Sequence, residues 1–152
     1  MRQPFEIPRD IPDVTIENVT TNRVGHIEIT VNSTVEGTLC HRCGKMPTPF
    51  YGEDREMTLR HVPILGRKTF MRLRPKRSQC FHGHGNPSTP QPLSWYAPRS
   101  SFTKAYEKQI LLSLVNSTVQ DISIKEARGS EAIMGIMDRH SERNIHWEDV
   151  TR

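Results

Sequence analysis

Three cysteines and two histidines are the side chains best placed to do chemistry in this chain. Cys40 and Cys43 stand in "LCHRCGK", a Cys-x2-Cys pair followed by Gly44, while Cys80, His82 and His84 stand in "CFHGHGN". Thiolates and imidazoles are the preferred donors of a tetrahedral zinc ion, and a Cys-x2-Cys turn supplies two corners from one short loop. Gly44 can take the positive φ that turns backbone amides toward the sulfurs. Cys80 supplies a third corner. The place of a fourth cysteine, three residues further on, is held by Gly83, so the expected fourth ligand is His84 or His82. His84 is preferred, because three intervening residues wrap around one ion more easily than one does. With all four positions taken by protein, such a zinc would be structural and would leave no open position for a substrate. His26, His61, His140 and His146 are scattered, and each is read as a surface or hydrogen-bonded side chain.

Composition sets the frame for this site. The chain has 152 residues, 34% of them hydrophobic, with 11 prolines and 9 glycines, and a mean hydropathy of −0.62. That is enough for one ordinary domain or two small ones, and small cores often need a staple such as a metal. An odd number of cysteines argues against a disulfide framework. The start "MRQPFEIPRD" has no apolar run of the kind a secretory signal needs, and no stretch reaches membrane-spanning length. The expected setting is therefore cytoplasmic and nucleoid-associated. "NVT" and "NST" are then chance matches to the glycosylation sequon.

The charge is concentrated. The net charge is +4, yet between Leu59 and Arg77 lie seven basic residues and no acidic one: Arg60, Arg67, Lys68, Arg72, Arg74, Lys76 and Arg77. Such a stretch suits a polyanion, and a solvated face is the bland alternative.

The expected class is α+β, with a small zinc-ribbon-like β module followed by an all-α helix-turn-helix module. Residues 1–25, with Pro4, Pro8 and Pro12, read as an extended arm. Residues 26–92 read as the finger. There "HIEITV" alternates as a strand, and "LRHVPILGRKTFMRLRP" reads as a basic hairpin about Gly66-Arg67. Arg72, Arg74, Lys76 and Arg77 run along its second strand and that strand's extension, with Arg72 and Arg74 on one face. Residues 93–152 read as helical. "SFTKAYEKQILLSLVNST" carries apolar residues at helical spacing, and Thr118 with Asp121 forms a capping-box pattern ahead of Ile122. Gly129 ends that helix, and Ser130 is read as the cap of another, "SEAIMGIMDRH", whose expected inward face is Ala132, Ile133, Ile136 and Met137.

Together, "CHRCGK", "LRHVPILGRKTFMRLRPKRSQC", "WYAPRSSFTKAYE" and "LLSLVNSTVQDISIKEARGSEAIMGIMDRH" resemble the amino-terminal region of the ISL-three family of bacterial insertion-sequence transposases, over about residues 35 to 150. The resemblance implies a zinc-ribbon-like finger and a helix-turn-helix that recognise terminal inverted repeats in double-stranded DNA. A catalytic domain of RNase H-like fold, with an Asp-Asp-Glu triad, follows them in that family. The finger ligands fall on Cys40, Cys43 and Cys80, and the helix-turn-helix on about Thr103 to His140.

Two-metal phosphoryl transfer needs clustered carboxylates, whereas Asp121, Glu126, Glu131, Asp138, Glu148 and Asp149 follow ordinary helical spacings. The expectation is a DNA-binding head of a transposase, truncated before the catalytic domain and without catalysis of its own. Its phosphate contacts are expected from the seven basic residues above together with Lys125, Arg128, Ser130 and Arg139. A homodimer is compatible with this; a membrane or a small-molecule substrate is not expected. The other readings are a zinc-ribbon module for protein interaction or dimerisation, and a decayed gene fragment.

Overall fold

The computed structural model describes residues 11–35, 37–45, 48–81, 85 and 88–141, with 48–51 as backbone alone. His82, Gly83, His84 and His146 lie outside the described residues. Among the described residues the architecture is mixed α+β, with two sheets built from seven strands, followed by three α-helices. The chain divides into two compact units, residues 1–105 and 106–152.

The first unit holds both sheets. Strand β1 (Val14–Thr21) lies within the stretch read as an extended arm and pairs antiparallel with β2 (Ile27–Ser33). Their turn is shaped by Asn22, whose side-chain oxygen accepts from the amides of Val24 and His26, both at 3.0 Å. This is an Asx-type turn, which a short polar side chain builds from its own neighbourhood. Strand β3 (Thr48–Glu53) belongs to a second sheet. Strands β4 (Met57–Ile64) and β5 (Arg67–Leu73) form the expected hairpin, but its turn is Leu65-Gly66, one residue earlier than Gly66-Arg67. Both turn residues have positive φ, 50° and 73°, the combination whose twist matches that of the flanking strands.

The four-stranded sheet has the order β1-β2-β5-β4, with β2 and β5 parallel. Alternation along β2 and β5 puts Ile29, Val31, Met71 and Leu73 on one face, and this face meets Leu59, Leu93, Trp95 and Ile11 in the core. Each fully buried aliphatic side chain there contributes about 1.5–3 kcal/mol. Residues 93–105, read from the sequence as the start of the helical part, sit with the strands. The backbone of Arg60 in β4 donates to Ser101 and accepts from Thr103, at 2.8 and 2.9 Å, and His61 Nδ1 lies 2.8 Å from the Thr103 hydroxyl. This strap covers the outer edge of β4.

At Pro75 the chain leaves the first sheet. Strand β6 (Lys76–Gln79) is the centre of the second sheet, flanked by β3 and β7 (Ser88–Pro90). Arg72 and Arg74 therefore stand apart from Lys76 and Arg77, which were expected along one continuing strand. Proline cannot extend a strand ladder, and here it marks the crossing between sheets.

The second unit contains most of α1 (Lys104–Ser113), a short 3-10 turn at Leu114–Asn116, α2 (Val119–Glu126) and α3 (Ser130–Ser141). The capping box is formed in full: Thr118 Oγ1 accepts from the Asp121 amide, and the Asp121 carboxylate accepts from the Thr118 amide. Helix α2 ends on Ala127 in the left-handed region, φ 51°, two residues before the expected Gly129. Gly129 instead offers its carbonyl to the amides of Ala132 and Ile133, so Ser130 is the first residue of α3 rather than its cap. Ile122, Ile133 and Ile136 are buried. Met137, expected inward, is 39% exposed, because the buried stripe runs through 133 and 136 and leaves 137 on its flank.

Candidate metal centre and the basic residues

The Cys40–Cys43 turn is closed by its own backbone. The Gly44 amide donates to the Cys40 carbonyl and the Cys40 amide to the Lys45 carbonyl, both at 2.9 Å. The Arg42 amide points at Cys40 Sγ, 3.4 Å away, and Gly44 has φ +68°. A thiolate that accepts backbone N–H groups is stabilised in its charged form. Cys80 follows β6 directly, so the central strand of the second sheet delivers the third sulfur.

The three Sγ atoms all lie within 4.8 Å of one another, with Cys43 and Cys80 3.6 Å apart. Two sulfurs on one tetrahedral metal, each bonded at about 2.3 Å, are about 3.8 Å apart, so this spacing fits a shared ion. Cys40 and Cys80 are buried, and Cys43 is on the exposed side. His82 and His84, the two expected fourth ligands, lie outside the described residues. His41 is a neighbour that the sequence reading passed over: its Nδ1 is 2.8 Å from the Thr89 hydroxyl of β7, which ties the turn to the second sheet.

Two of the scattered histidines within the described residues have partners as well. His26 packs against Phe70 with the rings tilted by 40° and their centroids 5.5 Å apart, and His140 Nε2 is 3.0 Å from the Glu107 carboxylate. Trp95 is buried in the core cluster, with Tyr96 packed edge-on against it at 4.9 Å. Burial, with the charge of Asp54 adding, pushes the Tyr96 hydroxyl above its usual range.

The residues expected at DNA differ in their surroundings. Arg60 is buried, 4% exposed, with its guanidinium 5.8 Å from the centre of the Phe70 ring. Arg72, Arg74, Arg77 and Arg139 are paired with carboxylates: Arg72 with Glu28 and Glu56, Arg74 with Glu56, Arg77 with Asp54, and Arg139 with Glu107. Arg67 donates to the Gly25 carbonyl at 3.4 Å. Lys68 and Lys76 sit partly exposed on β5 and β6, and Lys125 is exposed in the last turn of α2. Arg128 follows α2, with its carbonyl accepting from the Ser123 hydroxyl. Ser130 is exposed at the start of α3. The carboxylates of Glu28, Asp54, Glu56 and Glu107 were not in the sequence reading, since none lies within the basic stretch.

No protein-family model matches the chain, and neither the curated proteins nor the solved structures contain a match to it. Among the described residues, no helix is long and apolar enough to cross a membrane.

Proposed function

We propose that this chain is a DNA-binding head of the kind found ahead of the catalytic domain in ISL-three insertion-sequence transposases, with a structural zinc in its β part. The observation that carries the DNA reading is the α2–α3 pair. Two helices are joined by the three residues 127–129, and the second buries Ile133 and Ile136 while leaving Ser130, Glu131, Met134 and Asp138 exposed. A helix pair with so short a turn is the arrangement that lays a second helix in a major groove. The exposed face of α3 is poor in Arg, Lys, Asn and Gln, the residues that read base edges best, so most of the affinity comes from phosphate contacts and the terminal inverted repeats are favoured only modestly. The zinc reading rests on the three-sulfur cluster, with Cys40, Cys43 and Cys80 as ligands and His84 or His82 completing the set.

Binding of the full chain to duplex DNA, followed by fluorescence anisotropy, tests this. About four phosphate contacts give an affinity that falls roughly a hundredfold between about 50 and 200 mM salt. Duplexes ending in an inverted repeat should bind more tightly than scrambled ones. Equal, weak binding to every duplex refutes sequence recognition.

A second reading, a module for protein interaction or dimerisation, is favoured by a different observation. The helical unit exposes Leu112, Val115, Ile124 and Met134, at 65%, 73%, 74% and 53%. Sedimentation separates the two readings, since this one predicts self-association without DNA and no mobility shift with it.

A further inference from the structure

Resting on the DNA-binding reading above, we infer that Arg72 and Arg74 form a seat for one phosphodiester phosphate, and that Glu56 fills this seat as an internal stand-in until nucleic acid displaces it. Arg72 is the next-to-last residue of β5, level with Thr30 of β2 and Thr58 of β4. Its neighbours Met71 and Leu73 are buried, so strand alternation turns Arg72 to the face opposite the core. Arg74, just past the strand, emerges on the same side. Leu73 between them anchors both.

The contacts converge on one carboxylate. Nε and one amino group of Arg72 both donate to Glu56 Oε1, at 3.0 and 2.6 Å, and Arg74 Nε lies 3.7 Å from Glu56 Oε2. The other amino group of Arg72 is 3.5 Å from Glu28 Oε2. Two guanidiniums thus meet the two oxygens of one anion. The two non-bridging oxygens of a phosphodiester present the same acceptor pattern, and arginine's planar fork suits both.

The two sides of this contact differ in their backbone setting. Arg72 is held by a central strand and Arg74 directly follows it, whereas Glu56 stands on the short link between β3 and β4, just before Met57. It can swing away without breaking a ladder. The side chains are 40% and 60% exposed for the arginines and 33% for Glu56, so the pair is weakly held and readily exchanged. Thr30 and Asn32 line the same open groove and offer further donors beside the seat.

The test is Glu56→Gln in the full chain, with duplex DNA titrated across a salt series. The variant keeps the shape of the side chain but stops competing for the two guanidiniums. The expected result is an affinity about tenfold higher, with the slope of log K against log salt steeper by about one contact. Glu17→Gln is the control, because Glu17 lines the same groove and has no ion-pair partner among the described residues. It should change affinity about threefold or less and leave the slope unaltered. Arg72→Ala placed on Glu56→Gln should abolish the gain. Equal gains from Glu17→Gln and Glu56→Gln mean a general charge effect and overturn the seat. Wild-type binding that Glu56→Gln does not strengthen overturns the seat while leaving the DNA reading intact. No duplex binding by any form, with circular dichroism showing each one folded, overturns both.

Discussion

The Glu107 carboxylate and the Arg139 guanidinium form an ion pair that ties α1 to the last turns of α3. Glu107 has a side-chain exposure of 2%, and Arg139 approaches one of its oxygens through both Nε and a terminal amino group. His140 takes the other oxygen at 3.0 Å. A buried carboxylate needs such partners, since a charge left alone in the interior is strongly unfavourable.

Glu107→Gln should therefore lower the stability of the helical unit. Loss of one partner of a buried pair costs about 3–5 kcal/mol, and because Arg139 and His140 are each about one-third exposed, the low end, about 3 kcal/mol, is expected. Urea denaturation followed at 222 nm measures this. Arg139→Met combined with Glu107→Leu should recover much of the loss, because an apolar pair of similar size removes the charge problem altogether. A Glu107→Gln protein as stable as wild type would show that the pair carries no stability.

Metal removal gives the second expectation. Protein purified without added zinc should carry about one zinc per chain, and Cys40→Ser, Cys43→Ser and Cys80→Ser should each lose it. The folding cost should be smallest for Cys43→Ser, because Cys43 is exposed while Cys40 and Cys80 are buried. Elemental analysis paired with thermal melts checks both points. Wild-type protein that is metal-free yet folded, and whose melting a chelator leaves unchanged, would refute the site.

The capping box makes a prediction about pH. The Thr118 hydroxyl, and then its backbone amide, hold the Asp121 carboxyl below its ordinary range. A folded-state pKa lower than the unfolded one contributes stability that is present above the unfolded value and disappears as pH falls through the folded value. Wild-type helix content should thus decline below about pH 4, and Asp121→Asn should flatten that part of the titration. Thr118→Ala should cost about 1 kcal/mol at neutral pH by removing the cap. Circular dichroism across the acid range reads both effects.

The β4–β5 turn offers a stabilising change. Leu65 is 94% exposed with φ 50°, a conformation that costs a branched residue about 1 kcal/mol and that asparagine accepts readily. Leu65→Asn should raise stability by about 0.5–1 kcal/mol, seen as a higher melting temperature. Gly66→Ala, at φ +73°, should lower it.

The features legible in the sequence are those decided over a few residues. Cys40-x2-Cys43-Gly44 closes on its own amides, and Thr118 meets Asp121 within one turn of helix. Leu65-Gly66 shows the limit of that locality: the hairpin was readable, but its turn was placed one residue late, because leucine is a poor candidate for positive φ. Strand β1 was passed over although Val14, Thr15, Ile16, Val19, Thr20 and Thr21 are β-branched. From Thr15 to Thr21 its side chains are exposed, so no core face marks it, and it is held by pairing with β2. Strands β3, β6 and β7 are short and proline-containing or proline-flanked, and their partners are remote in the chain.

The sequence by itself determined that Cys40 and Cys43 share one tight turn, that helices follow the strands, and that residues 59–77 carry seven positive charges with no negative one among them. Only the tertiary structure decided what those charges face. Folding brings Glu28 from β2, with Asp54 and Glu56 from the β3–β4 link, onto Arg72, Arg74 and Arg77, and it buries Arg60 against Phe70. The physical reason is that charge acts through distance in space. Strand pairing sets neighbours across the sheet about 5 Å apart, however far apart they lie along the chain.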